Sequence, residues 1–111
     1  MNITEQDLIL KVNIITLTGR LDVTSAPRLR DHAQAKLGAG YTHFILDLSQ
    51  LEFLDSAGLA ALVNLLKNAR TQGGDVRLVM PQAEAASRTI YLTKFDRVFS
   101  LYEDVEQAKR Y

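Results

Sequence analysis

Phe44-Ile45-Leu46-Asp47-Leu48-Ser49-Gln50-Leu51-Glu52-Phe53-Leu54-Asp55-Ser56-Ala57-Gly58-Leu59 decides the fold of this chain. Phe44 to Leu48 is a compact apolar run of buried-strand length. Leu51 to Leu59 then leaves the strand, makes a turn and enters a helix with Ser56 at or near its N-cap. That helix starts at Asp55-Ser56, runs to Gln72 and is closed by Gly73-Gly74. Val76 to Met80 follows as a second strand, ended by Pro81. A strand, a helix and a strand in this order imply a right-handed parallel crossover.

The pattern extends in both directions. Upstream, Val12 to Thr18 reads as a strand ending at Gly19, with a shorter pairing strand before it within Asn2 to Leu10. Thr24-Ser25 followed by Pro27 marks a helix start with a hydroxyl cap. Ala26, Leu29, Ala33 and Leu37 carry its apolar stripe, and Gly38 stops it. Downstream, a short helix covers about Ala83 to Leu92, Phe99-Ser100-Leu101 is an edge strand, and Val105 to Lys109 is a last helix. The fold class is α/β: one domain over residues 1–111, with a four- to five-stranded mixed sheet, parallel in its centre, packed by about four helices.

Composition narrows the function. The chain has 111 residues, enough for one core without staples, and 13 basic residues balance 13 acidic ones. Nothing supplies the basic excess that binding to a phosphate backbone needs, so no nucleic-acid partner is expected. The absence of cysteine removes disulfides, thiolate metal sites and thiol catalysis. The longest apolar run, Leu59 to Val63, is far short of a membrane span, and the acidic start is no secretory signal. A small cytoplasmic domain without membrane insertion is the expectation.

Ser56 is the residue on which chemistry could turn. At a helix start its hydroxyl can cap, attack an electrophile or accept a phosphate. A hydrolase elbow would need glycine where Leu54 stands, and neither His32 nor His43 falls where a base is required. A metal-holding aspartyl-phosphate receiver needs more carboxylates at strand ends than Asp22 and Asp55, because Asp47 lies inside its strand. The helix itself adds a clue. Leu59, Leu62, Val63, Leu65, Leu66 and Ala69 fill one face, while Ala57, Ala60, Ala61, Asn64, Asn68 and Thr71 fill the other. Small uncharged residues there would let a partner approach closely, although alanine also simply favours helix.

Gly19-Arg20-Leu21-Asp22, Ser25-Ala26-Pro27-Arg28-Leu29-Arg30 and Asp55-Ser56-Ala57-Gly58-Leu59 carry a likeness, and on them the chain resembles the STAS domain, specifically the bacterial anti-sigma factor antagonists. The ending, Leu92 to Phe99 and then Val105-Glu106-Gln107-Ala108, extends it over essentially the whole chain. The resemblance implies a phosphorylatable switch without cofactor or metal rather than an enzyme. Its unphosphorylated form would bind an anti-sigma factor that is also a serine kinase of histidine-kinase-like ATPase fold, releasing the sigma factor. Phosphorylation would break that complex, and a metal-dependent serine phosphatase would reset it. Ser56 matches the phosphorylated position, Asp22 an acidic residue beside it, and Asp55 and Gly58 the turn that presents it. Together with the helix face, this makes Asp22, Asp55, Ala57, Gly58, Ala60, Ala61 and Asn64 the expected partner surface of a protein that is a monomer or weak dimer when free. Ala57 stands where some relatives carry a second hydroxyl, leaving Ser56 as the acceptor in the motif. The alternative is a STAS docking subunit of a stress-sensing complex or a lipid-transport ATPase, with Ser56 as a helix cap only.

Overall fold

The computed structural model describes residues 1–7 and 11–110. Its elements are β1 (Asn2–Asp7), β2 (Val12–Leu21), α1 (Ala26–Gly38), β3 (His43–Leu54), α2 (Ser56–Thr71), β4 (Asp75–Val79), α3 (Glu84–Leu92), a 3₁₀ turn (Phe95–Arg97), β5 (Ser100–Tyr102) and α4 (Val105–Ala108). The Leu8–Leu10 end of the expected first strand lies outside the described residues. One five-stranded sheet has the order β1-β2-β3-β4-β5. β1 pairs antiparallel with β2, and every later pair is parallel, so the parallel part extends to the β5 edge.

Strand order that never reverses has a consequence. Right-handed crossovers then place every connecting helix on the same face. Ala26, Leu29, Ala33 and Leu37 of α1, Leu59, Leu62, Leu65, Leu66 and Ala69 of α2, and Ala86 and Ile90 of α3 accordingly share one core with Ile15, Leu17, Phe44, Leu46 and Leu48. The other face carries a small cluster of Val12, Ile14, Ile45 and Val79 closed by Ala108 of α4. Among the described residues no helix is long and apolar enough to cross a membrane.

β3 is longer than the Phe44–Leu48 run. In β3, Phe44, Leu46 and Leu48 are buried at period two, and Leu51 and Leu54 at period three. Two register shifts against β2, between Thr16 and Thr18 and between Gly19 and Arg20, absorb the extra residues of β3. Each shift acts as a bulge that returns the next leucine to the core. Gly19 therefore does not end its strand. It sits beside the second irregularity at φ +80°, a backbone conformation that strains any side chain, and β2 continues to Leu21.

The sheet's outer edge is tied to α1. Glu5 accepts from Asn13 Nδ2 at 3.1 Å, lies 2.8 Å from His32 Nε2 and is 3.4 Å from Lys36 Nζ. Burial pushes its carboxyl up, but the Asn13 hydrogen bond and the neighbouring His32 and Lys36 together hold it below the usual glutamate value.

Candidate functional site

Leu21 and Leu54 are paired at the C-terminal ends of β2 and β3, and Asp22 and Asp55 follow them directly. The two acidic residues are thereby neighbours at one end of the sheet. The Asp55 amide donates to the Leu21 carbonyl at 3.3 Å, which locks the two chain ends together.

The cap of α2 is Asp55, not Ser56. Asp55 has extended backbone, and its Oδ1 accepts from the Gly58 amide at 2.9 Å. This carboxylate satisfies one of the orphan donors of the first turn and complements the helix dipole. Ser56 is the first helical residue, exposed, and its hydroxyl has no hydrogen-bond partner among the described residues. The reading of Ser56 as a cap is thus corrected. A serine beside an aspartate competes for one cap position, and the acidic acceptor takes it.

Asp22 is held as firmly. Its Oδ1 accepts from the Ser25 and Thr24 amides at 3.2 and 3.0 Å, and its Oδ2 lies 3.5 Å from Arg20 Nε. The expected hydroxyl cap of α1 is not formed: Ser25 Oγ instead donates to the Arg20 carbonyl at 2.8 Å and accepts from the Asp22 amide at 3.0 Å. Ser25 therefore pins the turn that carries Asp22. Arg20 in addition stacks over the Phe53 ring, 4.0 Å from its centroid.

Hydrogen bonds from the Ser25 amide first, then from Thr24 and the Ser25 hydroxyl, with Arg20 beside them, keep the Asp22 carboxyl below its ordinary value. A carboxyl depressed in the folded state stabilises above its unfolded pKa of about 4 and loses that contribution as pH falls through the folded value. Urea unfolding of Asp22→Asn is expected to show a deficit against the parent at pH 7 that closes below about pH 4. A deficit unchanged with pH would assign the effect to the amide contacts and not to the charge.

Gly58 is in the partner-facing group by sequence, yet it is buried. A Cβ there would lie 2.5 Å from the Leu21 carbonyl oxygen and 2.7 Å from Leu54 Cδ1. Its part is to let α2 start tight against β2. Ala61 is also corrected, being 1% exposed, because α1 flanks α2 and widens the buried arc beyond the strip that meets the sheet. Ala57 is half-buried, and Ala60 and Asn64 are exposed.

The exposed side of α2 borders a groove of about 470 Å³ lined by Ser56, Leu59, Ala60, Val63, Asn64, Lys67, Thr93 and Phe95. Lys94, in the left-handed region at φ 62°, turns the chain from α3 into the 3₁₀ segment that begins with Phe95. Val63, Lys67, Thr93 and Phe95 are absent from the surface inferred by sequence. The signal for the first two is the spacing Ser56, Ala60, Val63, Lys67, which lies along one line of a helix.

His43 opens β3, at the opposite end of that strand from Ser56, and His32 is engaged with Glu5. No group of three or more metal-ligating side chains occurs among the described residues. Asp47, inside β3, accepts from the Ser49 amide at 3.0 Å.

Comparison with known proteins adds a family. The STAS domain model matches residues 1–108. A Thermotoga maritima protein with anti-sigma factor antagonist in its name is 38% identical over 72 residues, 65% of this chain and 63% of that protein. The match thus spans less than two-thirds of that relative's length. A Thermotoga maritima crystal structure described by the same term superposes with a TM-score of 0.87 at 29% identity, covering 96% of this chain and 90% of that one. The Bacillus cell fate determinant SpoIIAA in its phosphorylated form superposes at 0.76 with 17% identity and 98% coverage of both chains, a likeness of fold.

Proposed function

We propose that this chain, which belongs to the STAS domain family, is an anti-sigma factor antagonist switched by phosphorylation of Ser56. Unphosphorylated, it docks on an anti-sigma factor that is also a serine kinase and frees the sigma factor. Phosphorylated, it lets go, and a metal-dependent serine phosphatase returns it to the binding form. The names of the related proteins supply the class of partner. The observation that carries the reading is the Ser56 hydroxyl: exposed, without a hydrogen-bond partner among the described residues, and relieved of capping duty by Asp55.

Physical chemistry supports a switch at this position. A phosphate adds about −1.5 to −2 charge at pH 7. At the start of a helix that charge meets the positive end of the dipole and orphan amides, so the domain stays folded in both states. Beside Asp22 and Asp55, however, the surface turns from mildly to strongly acidic. Folding is left alone while recognition changes.

Phosphopeptide mass spectrometry on the protein isolated from its own cells tests this. Phosphate is expected on the peptide containing Ser56 and nowhere in the Ser56→Ala variant. No phosphate under any growth condition would leave a constitutive docking subunit, and phosphate only elsewhere would overturn Ser56 as the acceptor.

A further inference from the structure

We infer that the groove beside Ser56 receives one amphipathic helix of the docking partner, about three turns long, with a carboxylate near Lys67 and none near Ser56. This rests on the proposed docking at Ser56 and specifies what the partner must present there.

The groove's dimensions come from the helix that forms one wall. Ser56, Ala60, Val63 and Lys67 follow one line along α2. Eleven residue steps from Ser56 to Lys67 at about 1.5 Å each make that line roughly 16 Å long, the length of three helical turns. The facing wall is Thr93 and Phe95, and Leu92, 74% exposed, directly precedes it in the chain. Leu59, Val63 and Phe95 make the lining mostly apolar. Because the trough lies open along the surface of α2, it would leave much of a small molecule wet, whereas small-molecule sites bury most of their ligand. Its walls are a helix and a 3₁₀ turn rather than an open strand edge, so strand addition is not available. Proline-rich segments need several aromatic rings and acidic motifs a cluster of cations, and the lining offers only Phe95 and Lys67, so side chains packing at helical spacing are the mode that fits.

Charge fixes the orientation. Lys67 is the single charged residue among the described lining residues, and it makes no ion pair with any described residue. Lys67 is exposed at one end of that line, so a carboxylate on the occupant would be drawn to its ammonium and a cation repelled. At the other end Asp55 precedes Ser56, and Asp22 stands beside it across the paired strand ends. A carboxylate there would meet two acids against the one guanidinium of Arg20, which is already paired with Asp22, and still more negative charge once Ser56 is phosphorylated.

Asn64→benzoylphenylalanine, made in the full chain with Ser56→Ala and expressed in the cells of origin, tests the inference by photo-cross-linking. The expected product joins this chain to the protein it retains on affinity purification. The joined peptide should carry apolar residues at i, i+3 or i+4 and an Asp or Glu. Lys67→Glu should cut the yield at least tenfold without altering the melting temperature, and exchanging the partner's acidic residue for Lys should restore it. Retention of the partner without this cross-link, still abolished by Ser56→Asp, would overturn the groove as the docking site and leave the Ser56 reading standing. A cross-link between two copies would overturn it too, showing a self-association face. Retention indifferent to Ser56→Asp would remove the Ser56 reading itself.

Discussion

Ser56→Asp is expected to weaken binding to the anti-sigma partner at least a hundredfold, while Ser56→Ala leaves it within about twofold. A hundredfold corresponds to about 3 kcal/mol. That is a modest demand for a charge placed in a contact built of Ala60, Val63 and Leu59, where a partner covering α2 would strip its water. Local stability points the other way. An acid in the first turn of α2 favours the helix by about 0.3–1 kcal/mol, so Ser56→Asp should melt no lower than the parent. Calorimetric titration of both variants against the purified partner, beside their melting curves, separates the two effects. Equal affinities would sink the switch. A lost affinity accompanied by a collapsed melting curve would mean that the helix and not the charge was at fault.

How far the sequence foretold this site can be seen residue by residue. The α1 stripe of Ala26, Leu29, Ala33 and Leu37 is buried as its spacing requires. Regular periodicity was legible because one helix meets one sheet face there. β3 was legible only to Leu48, since beyond it the buried leucines come three apart, and a spacing of three belongs to no regular strand. The register of β2 had to supply the bulges before Leu51 and Leu54 could read as strand. The Asp55-Ser56 pair showed where α2 starts but not which of the two caps it, a choice made by backbone geometry at Asp55. Ala61 was misplaced for another reason: a helical wheel knows the sheet below but not the neighbouring α1. The groove was least legible of all. Its second wall comes from Thr93 and Phe95, some thirty residues away in the chain, brought across by the left-handed turn at Lys94.

Gly58→Ala is expected to destabilise the domain by about 2 kcal/mol, which for a chain of this length lowers the melting temperature by roughly 10 °C. Helix propensity alone predicts the opposite sign, since alanine in place of glycine within a helix gains about 1 kcal/mol. The contacts decide against it. The added methyl would sit 2.5 Å from the Leu21 carbonyl oxygen, 2.7 Å from Leu54 Cδ1 and 2.9 Å from Leu21 Cγ. Of these, the carbonyl cannot swing aside, because it is backbone and accepts the Asp55 amide that holds β2 to the start of α2. The first turn must lift instead, loosening the buried Leu59 and Leu62 behind it and moving Ser56 in front of it. Gly38→Ala provides the contrast. A Cβ at Gly38, the last residue of α1, meets nothing within 4 Å, and that variant should gain about 0.5 kcal/mol. Thermal unfolding of the pair therefore reads packing against propensity in one molecule. If Gly58→Ala melts at or above the parent, α2 has slack over Leu21, and the tight seating that presents Ser56 is not a requirement of the fold.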